Sequence, residues 1–198
     1  MNRWTGRIAL AVTKRTLPGR MSADPVAEMP DGLHAAVCGS GSPLPDPKRG
    51  NPCLAVVAGE RVFIVDAGER ASETLNRMRI DPGRVEAVLL THFHSDHIGG
   101  LGSLTIQRWV AERSADQMRV IGPPGVERVV AGYNEAFALD NGYRSAHHGE
   151  AVAPPEDGGM TAEPFSFPAG ADSIVVLDEG GLKVTAFEVD HSDRKSVV

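Results

Sequence analysis

Cysteine is scarce in this chain and long apolar runs are missing, and each shortage excludes a class of protein. Cys38 and Cys53 are the only two cysteines, and two make no disulfide scaffold. Both sit beside apparent strands, where cysteine serves as a small buried hydrophobe; a disulfide between them stays open in an oxidising compartment. Neither has a metal-ligand partner nearby in sequence. The apolar run Ile8-Ala9-Leu10-Ala11-Val12 near the N-terminus stops at Thr13-Lys14-Arg15. It falls short of the roughly 7–15 apolar residues of an export segment and the roughly 20 of a membrane span. Residues 1–30 therefore read as a poorly ordered leader, the remnant of an export segment, with Met21 as an alternative start. The compartment read from this is cytoplasmic. Positive charge is also short: 20 Lys and Arg face 26 Asp and Glu, a formal charge of −6. That excludes a surface acting throughout as a nucleic-acid footprint, though not a local basic groove. Low-complexity tracts and internal repeats are missing as well.

What is present suits one globular unit over 31–198: of 198 residues, 41% are hydrophobic and 23% charged, enough for one sizeable core. Short apolar runs at 33–38, 54–58 and 61–65 read as strands, the last two joined as a hairpin through Gly59-Glu60. Residues 69–79 carry Ala71, Leu75 and Met78 at helical spacing, and Asp81-Pro82-Gly83 stops them. A buried strand follows at 86–90, then a helix marked by Leu101, Leu104, Trp109 and Val110. A strand at 118–121 and a helix at 125–139 come next, with Val126, Val129, Val130 and Phe137 inward. Residues 140–172, rich in Gly, Pro and Asp, read as an extended loop. Closing strands fall at 173–177 and 182–189. Arg108, Arg113, Arg119 and Arg128, interleaved with acidic residues, read first as a solvated helical face and second as a phosphate-steering patch.

The densest signal is Thr91-His92-Phe93-His94-Ser95-Asp96-His97-Ile98-Gly99-Gly100. It places three imidazoles and a carboxylate within six positions, directly after Val88-Leu89-Leu90. Neutral imidazole and carboxylate are the ligands that borderline divalent ions such as zinc prefer. If the strand continued extended, His92, His94 and Asp96 would share a face. A polar loop with surface histidines is the plainer alternative, which this density of ligand-type residues disfavours.

The H-x-H-x-D-H run resembles the signature of the metallo-β-lactamase superfamily, and other landmarks follow in that family's order. They are Gly39-Ser40-Gly41-Ser42-Pro43 after the first strand, Phe63-Ile64-Val65-Asp66-Ala67-Gly68, and Val120-Ile121-Gly122-Pro123-Pro124-Gly125, which looks like the ribonuclease Z-like branch. Val184 to Ser192 resembles the strand that delivers the next histidine. The resemblance implies an α/β fold, the αββα sandwich. It is expected to be incomplete here, with the N-terminal half plus the strand carrying the third histidine, because a bridging aspartate and a final histidine have no counterpart before Val198.

By the same resemblance His92, His94 and His191 would bind a first zinc, while Asp96 and His97 would contribute to a second, incomplete site. Three imidazoles with an open fourth position suit a catalytic ion. Asp96 would orient or deprotonate the attacking water. Asp66 would support the motif loop, or cap the helix after it. Gly39, Ser40 and Gly41 would offer backbone donors to an anion, or form a plain strand-exit turn. His147-His148 reads as an exposed loop pair, or as a proton donor facing the cleft, and His34 as structural. The implied function is a metal-dependent hydrolase, nearest to a ribonuclease Z-like phosphodiesterase. A small ester or phosphodiester fits the acidic charge better than transfer RNA, with RNA kept open. The alternatives are an inactive remnant whose uncovered apolar face aggregates, dimerises or takes a partner, and an esterase or arylsulfatase-type hydrolase of the same fold.

Overall fold

The computed structural model describes residues 24–111, 116–191 and 194–197, with the backbone alone at 191 and 194–197. Alternating burial along the strands builds two sheets. β1 (Leu33–Gly39), β2 (Cys53–Ala58) and β3 (Arg61–Val65) run antiparallel, with the hairpin turn at Gly59, whose φ is +63°. β4 (Val85–Leu89), β5 (Met118–Gly122) and β6 (Met160–Pro164) then continue the sheet in parallel, giving the order β1-β2-β3-β4-β5-β6. Parallel neighbours need crossovers. These are α1 (Ala71–Met78) between β3 and β4, α2 (Ser95–Ile98) with α3 (Leu101–Trp109) between β4 and β5, and α4 (Val126–His148) between β5 and β6. β7 (Ser173–Glu179), β8 (Leu182–His191) and β9 (Arg194–Val197) form a separate meander.

The period of two along each strand decides what lies on either side of the large sheet. Ala55, Val57, Val62, Ile64, Val88 and Val120 pack under Leu75 of α1, Leu101 and Leu104 of α3, and Val126 and Val130 of α4. The opposite face presents Phe63, Ala87, Leu89 and Ile121 to Leu177, Leu182 and Val184 of the meander. The layers therefore run helix, sheet, sheet, in the mixed α/β fold that the sequence implied. Arg119 on β5 ties the two sheets together, donating to Glu163 of β6 at 2.6 and 3.0 Å and to Glu179 of β7 at 2.6 Å. On edge strand β1, Leu33 and Val37 stay exposed on the face that pairs with Leu54 and Ala58.

Several expectations need correction. The leader expected over 1–30 falls partly on residues 1–23, outside the described residues. Residues 24–30 belong to the folded unit, since Val26 is buried in the helix-side core and Asp24 accepts from Arg84 at 2.9 Å. Residues 140–172 are not an extended loop. α4 runs on to His148, carrying Gly142 in open space at a helical cost of about 1 kcal/mol, and an Asp140–Arg144 pair spans one turn at 2.7 Å. β6 carries no clear strand pattern because it is a short edge strand of mixed polarity that ends at Pro164, a residue that edges tolerate. It is held by Asn134, whose amide donates to the Met160 carbonyl and accepts from its N–H, both at 2.9 Å. Cys38 and Cys53, both buried, are joined as a disulfide across the β1–β2 end.

The arginine cluster is not one solvated face: Arg128 is exposed on α4, but Arg119 lies on β5 and Arg108 is buried. Arg113 lies outside the described residues. Arg108 is 5% exposed and donates to the carbonyls of Val85 at 2.6 Å and Asp116 at 2.7 Å, and to the Asp116 carboxylate at 2.8 Å. It clamps α3 to both flanks of β4 and β5. Arg108→Ala would strand two carbonyls and remove packed methylenes, a loss of about 3 kcal/mol that urea denaturation would register as a lower midpoint at unchanged slope.

Candidate metal centre

β4 ends at Leu89, and Leu90 N–H donates to the Ile121 carbonyl of β5 at 2.8 Å. The signature residues leave the parallel strands at their C-terminal ends, where open α/β sheets place their sites. The strand does not continue, so the alternation that would have put His92, His94 and Asp96 on one extended face is replaced by a loop and a single helical turn. His94 has extended backbone (φ −62°, ψ 146°) and precedes α2, whose first turn carries the buried Asp96.

Close approach of two chain turns shapes this loop. Ala67 N–H donates to His97 O and Gly100 N–H to Ala67 O, each at 2.8 Å. A Cβ on Gly100 would lie 2.1 Å from Gly68 O, and one on Gly68 would lie 2.2 Å from Asp96 O. Both contacts are with backbone, which cannot swing aside. Gly100→Ala should cost about 3 kcal/mol through forced backbone separation and weaken metal binding in parallel. Thermal melting with and without zinc would separate the two effects.

Asp66 supplies the anchor. Its φ of +57° is uncommon for a residue with a side chain, a strained setting that surrounding contacts must fix. Asp66 N–H donates to Leu89 O at 2.9 Å. Its carboxylate accepts from Thr91 N–H at 2.9 Å, from the Thr91 hydroxyl at 3.1 and 2.9 Å, and from His97 Nδ1 at 2.7 Å. It is not a helix cap, because the residue preceding α1 is Arg70 and no side chain caps that helix. Burial opposes charge on His97, but the hydrogen bond to Asp66 and the charges of Asp66 and Asp96 outweigh it and raise the pKa.

The four motif residues come together. His92 Nε2 is 2.9 Å from His94 Nδ1, and the His92 and His97 ring centroids are 4.0 Å apart. His97 Nε2 lies 3.8 Å from Asp96 Oδ2. Among the described residues no group of three or more His, Cys, Asp or Glu side chains closes on one metal position. The donor chemistry nevertheless fits. Tetrahedral zinc with bonds of about 2.0–2.1 Å holds its nitrogens roughly 3.3 Å apart, a few tenths of an ångström beyond the His92–His94 separation. His97 makes the carboxylate–histidine contact that fixes a ligand's ring, with Asp66 on Nδ1 and the Asp96 side facing Nε2. His191 ends β8 opposite Arg194; its side chain lies outside the described residues.

The remaining candidates are placed elsewhere. Gly41 N–H is spent on Gly50 O at 2.7 Å and Gly39 packs against Asn51 O, the strand-exit turn rather than an anion cradle. His34 Nε2–H donates to Pro30 O at 2.8 Å, in a structural contact. His147 and His148 are exposed at the end of α4, their rings 4.7 Å apart, on a helix rather than a loop. Two contributors were given no role from sequence. Tyr133 of α4 donates to Ile98 O at 2.8 Å, which only folding of a distant helix onto the motif reveals. Thr91 stood inside the motif, and its neighbour to a buried carboxylate was the available signal.

Residues 47–188 match the metallo-beta-lactamase superfamily. The chain is 38% identical over 161 residues to ribonuclease Z of Mycobacterium marinum, covering 80% of this chain and 54% of that protein. It is 42% identical over 161 residues to ribonuclease Z of Mycobacterium sp. strain KMS, covering 80% and 53%. The chain thus spans about half the length of the curated relatives it matches. Among solved structures, the short form of human tRNase Z aligns with a TM-score of 0.61 at 22% identity, over 82% of this chain and 62% of that one. A diphosphatase of the PhnP family aligns at 0.55 and 19%, over 84% and 61%. Both show the shared fold. The chain belongs to the metallo-beta-lactamase superfamily, and membership implies a divalent metal, usually zinc.

Proposed function

We propose that the chain is a metal-dependent phosphodiester hydrolase domain of ribonuclease Z type, acting on an RNA phosphodiester. The observation that carries this is the convergence of His92, His94, Asp96 and His97 behind the Asp66 anchor, in a chain whose relatives are ribonucleases Z. Those relatives shift the expected substrate from a small ester toward RNA, despite the acidic net charge. His92 and His94, with His191, would hold one ion, and Asp96 and His97 would contribute to a second. A divalent ion bound there supplies Lewis acidity and lowers the pKa of water to about 7.

The chain's own groups do the rest. Asp96, buried beside His97, would take the proton of the attacking water as the water oxygen bonds to phosphorus and the P–O bond to the leaving oxygen breaks, the leaving oxygen then taking a proton from solvent. Asp66 and Thr91 keep the imidazoles oriented. His94, on the exposed side of the loop, leaves the entry for substrate. No helix among the described residues is long and apolar enough to cross a membrane. A cytoplasmic location belongs to the same proposal and sets the Cys38–Cys53 bond against a reducing compartment; thiol titration of freshly isolated protein decides that point.

The test is turnover of a chromogenic phosphodiester and of an RNA oligonucleotide by the zinc-loaded chain, beside a carboxylic ester and an aryl sulfate. Phosphodiester cleavage lost on chelation supports the proposal. Ester or sulfate cleavage alone moves the assignment to another hydrolase of this fold, and bound metal without turnover favours a non-catalytic role.

A further inference from the structure

We propose that Thr91 is a positioning residue for His92: its hydroxyl relays Asp66 to the imidazole and holds the tautomer whose Nε2 carries the lone pair. The inference rests on reading the motif as a metal centre, but its geometry can be judged without a metal.

Thr91 Oγ1 lies 3.1 and 2.9 Å from the two oxygens of Asp66 and 3.0 Å from His92 Nδ1. A hydroxyl has one proton to give and two lone pairs. Asp66 also accepts from Thr91 N–H and His97 Nδ1, so it acts as an acceptor on every side and takes the hydroxyl proton. The threonine oxygen can then only accept from His92, which places a proton on Nδ1. In a neutral imidazole the other nitrogen is the acceptor. That nitrogen, Nε2, is the one facing His94 Nδ1 at 2.9 Å. The backbone and side chain of Thr91 grip the same carboxylate, and branching at Cβ stiffens its χ1 further, so the relay is held at both ends.

The same carboxylate acts on His97 without an intermediary, accepting from Nδ1 at 2.7 Å, while Nε2 faces Asp96 at 3.8 Å. One buried aspartate thereby holds a proton on Nδ1 of two imidazoles assigned to different metal positions. For His97 it does so directly and for His92 through a hydroxyl. The requirement at position 91 is for an oxygen that donates and accepts at once. Serine meets it, while valine matches threonine in shape but supplies neither function.

The experiment is nitrogen-15 imidazole NMR on the metal-free full chain at about pH 8, above the ordinary histidine pKa, followed by competitive zinc titration. The wild type and Thr91→Ser should show His92 protonated at Nδ1, whereas Thr91→Val should show a mixed or reversed tautomer. Zinc affinity should fall about 10- to 100-fold in Thr91→Val and stay within about threefold in Thr91→Ser. A merely structural threonine would lower the melting temperature of Thr91→Val without moving tautomer or affinity, and that result overturns the proposal. So does His92 protonated at Nε2 in the wild type, a measurement that stands even if Thr91→Val fails to fold. Should the wild type show the expected tautomer and bind no zinc, the metal-centre reading fails while the relay stands.

Discussion

His92→Ala should reduce phosphodiester cleavage by about 10³-fold or more. A Lewis acid contributes several kcal/mol to such a reaction, and each 1.36 kcal/mol is tenfold in rate. His92 contacts Thr91, His94 and His97 at once, so its loss removes a ligand and the partner against which its neighbours are arranged. His94→Ala should have a similar effect, and the double variant should be little worse than either, because ligands of one ion act as a unit. Steady-state rates after zinc loading and after chelation would check this. Activity that survives His92→Ala and chelation together would contradict it.

Removing the anchor should cost the most stability. Asp66 is 6% exposed and accepts from Thr91 N–H, the Thr91 hydroxyl and His97 Nδ1. Asp66→Ala leaves three donors without their partner, each loss worth about 1–3 kcal/mol when buried. Repacking and entering water recover part, so a net loss of about 3–5 kcal/mol is expected. The residue's left-handed backbone adds to this, since alanine tolerates φ of +57° less well than aspartate. Asp66→Asn keeps an acceptor oxygen and should fold better, yet its amide cannot serve both Thr91 and His97 as acceptor. Zinc affinity should then fall about 10- to 100-fold. Urea denaturation measures the first effect and competitive metal titration the second. A change in stability below about 0.5 kcal/mol for Asp66→Ala, the range of an ordinary surface substitution, would show that the carboxylate is not the anchor.

Local patterns made the motif-bearing half of the fold readable. β4 announces itself as a continuous apolar strand, α1 by Ala71 and Leu75, and the ligand set by its density of imidazoles. The rest depends on partners far along the chain. β6 exists because β5 and Asn134 hold it, not because Met160-Thr161-Ala162-Glu163-Pro164 reads as a strand. α4 continues through Gly142, with Ser145 one turn on held to the Ala153 carbonyl at 2.7 Å. Arg108 is buried by the carbonyls of Val85 and Asp116, which a charge pattern cannot foresee. At the site, the residue types were legible but not the geometry. The expected extended face failed because α2 starts at Ser95, and the role of Thr91 appears only once Asp66, 25 positions earlier, folds beside it.

The most direct test is zinc content of the full chain after zinc loading and exhaustive dialysis, with His92→Ala treated identically. At least about one tightly held ion per wild-type chain, lost in the variant, is the predicted result. A folded wild-type chain that emerges metal-free, or a variant that retains as much zinc as the wild type, would contradict the assignment of the H-x-H-x-D-H loop as a metal centre.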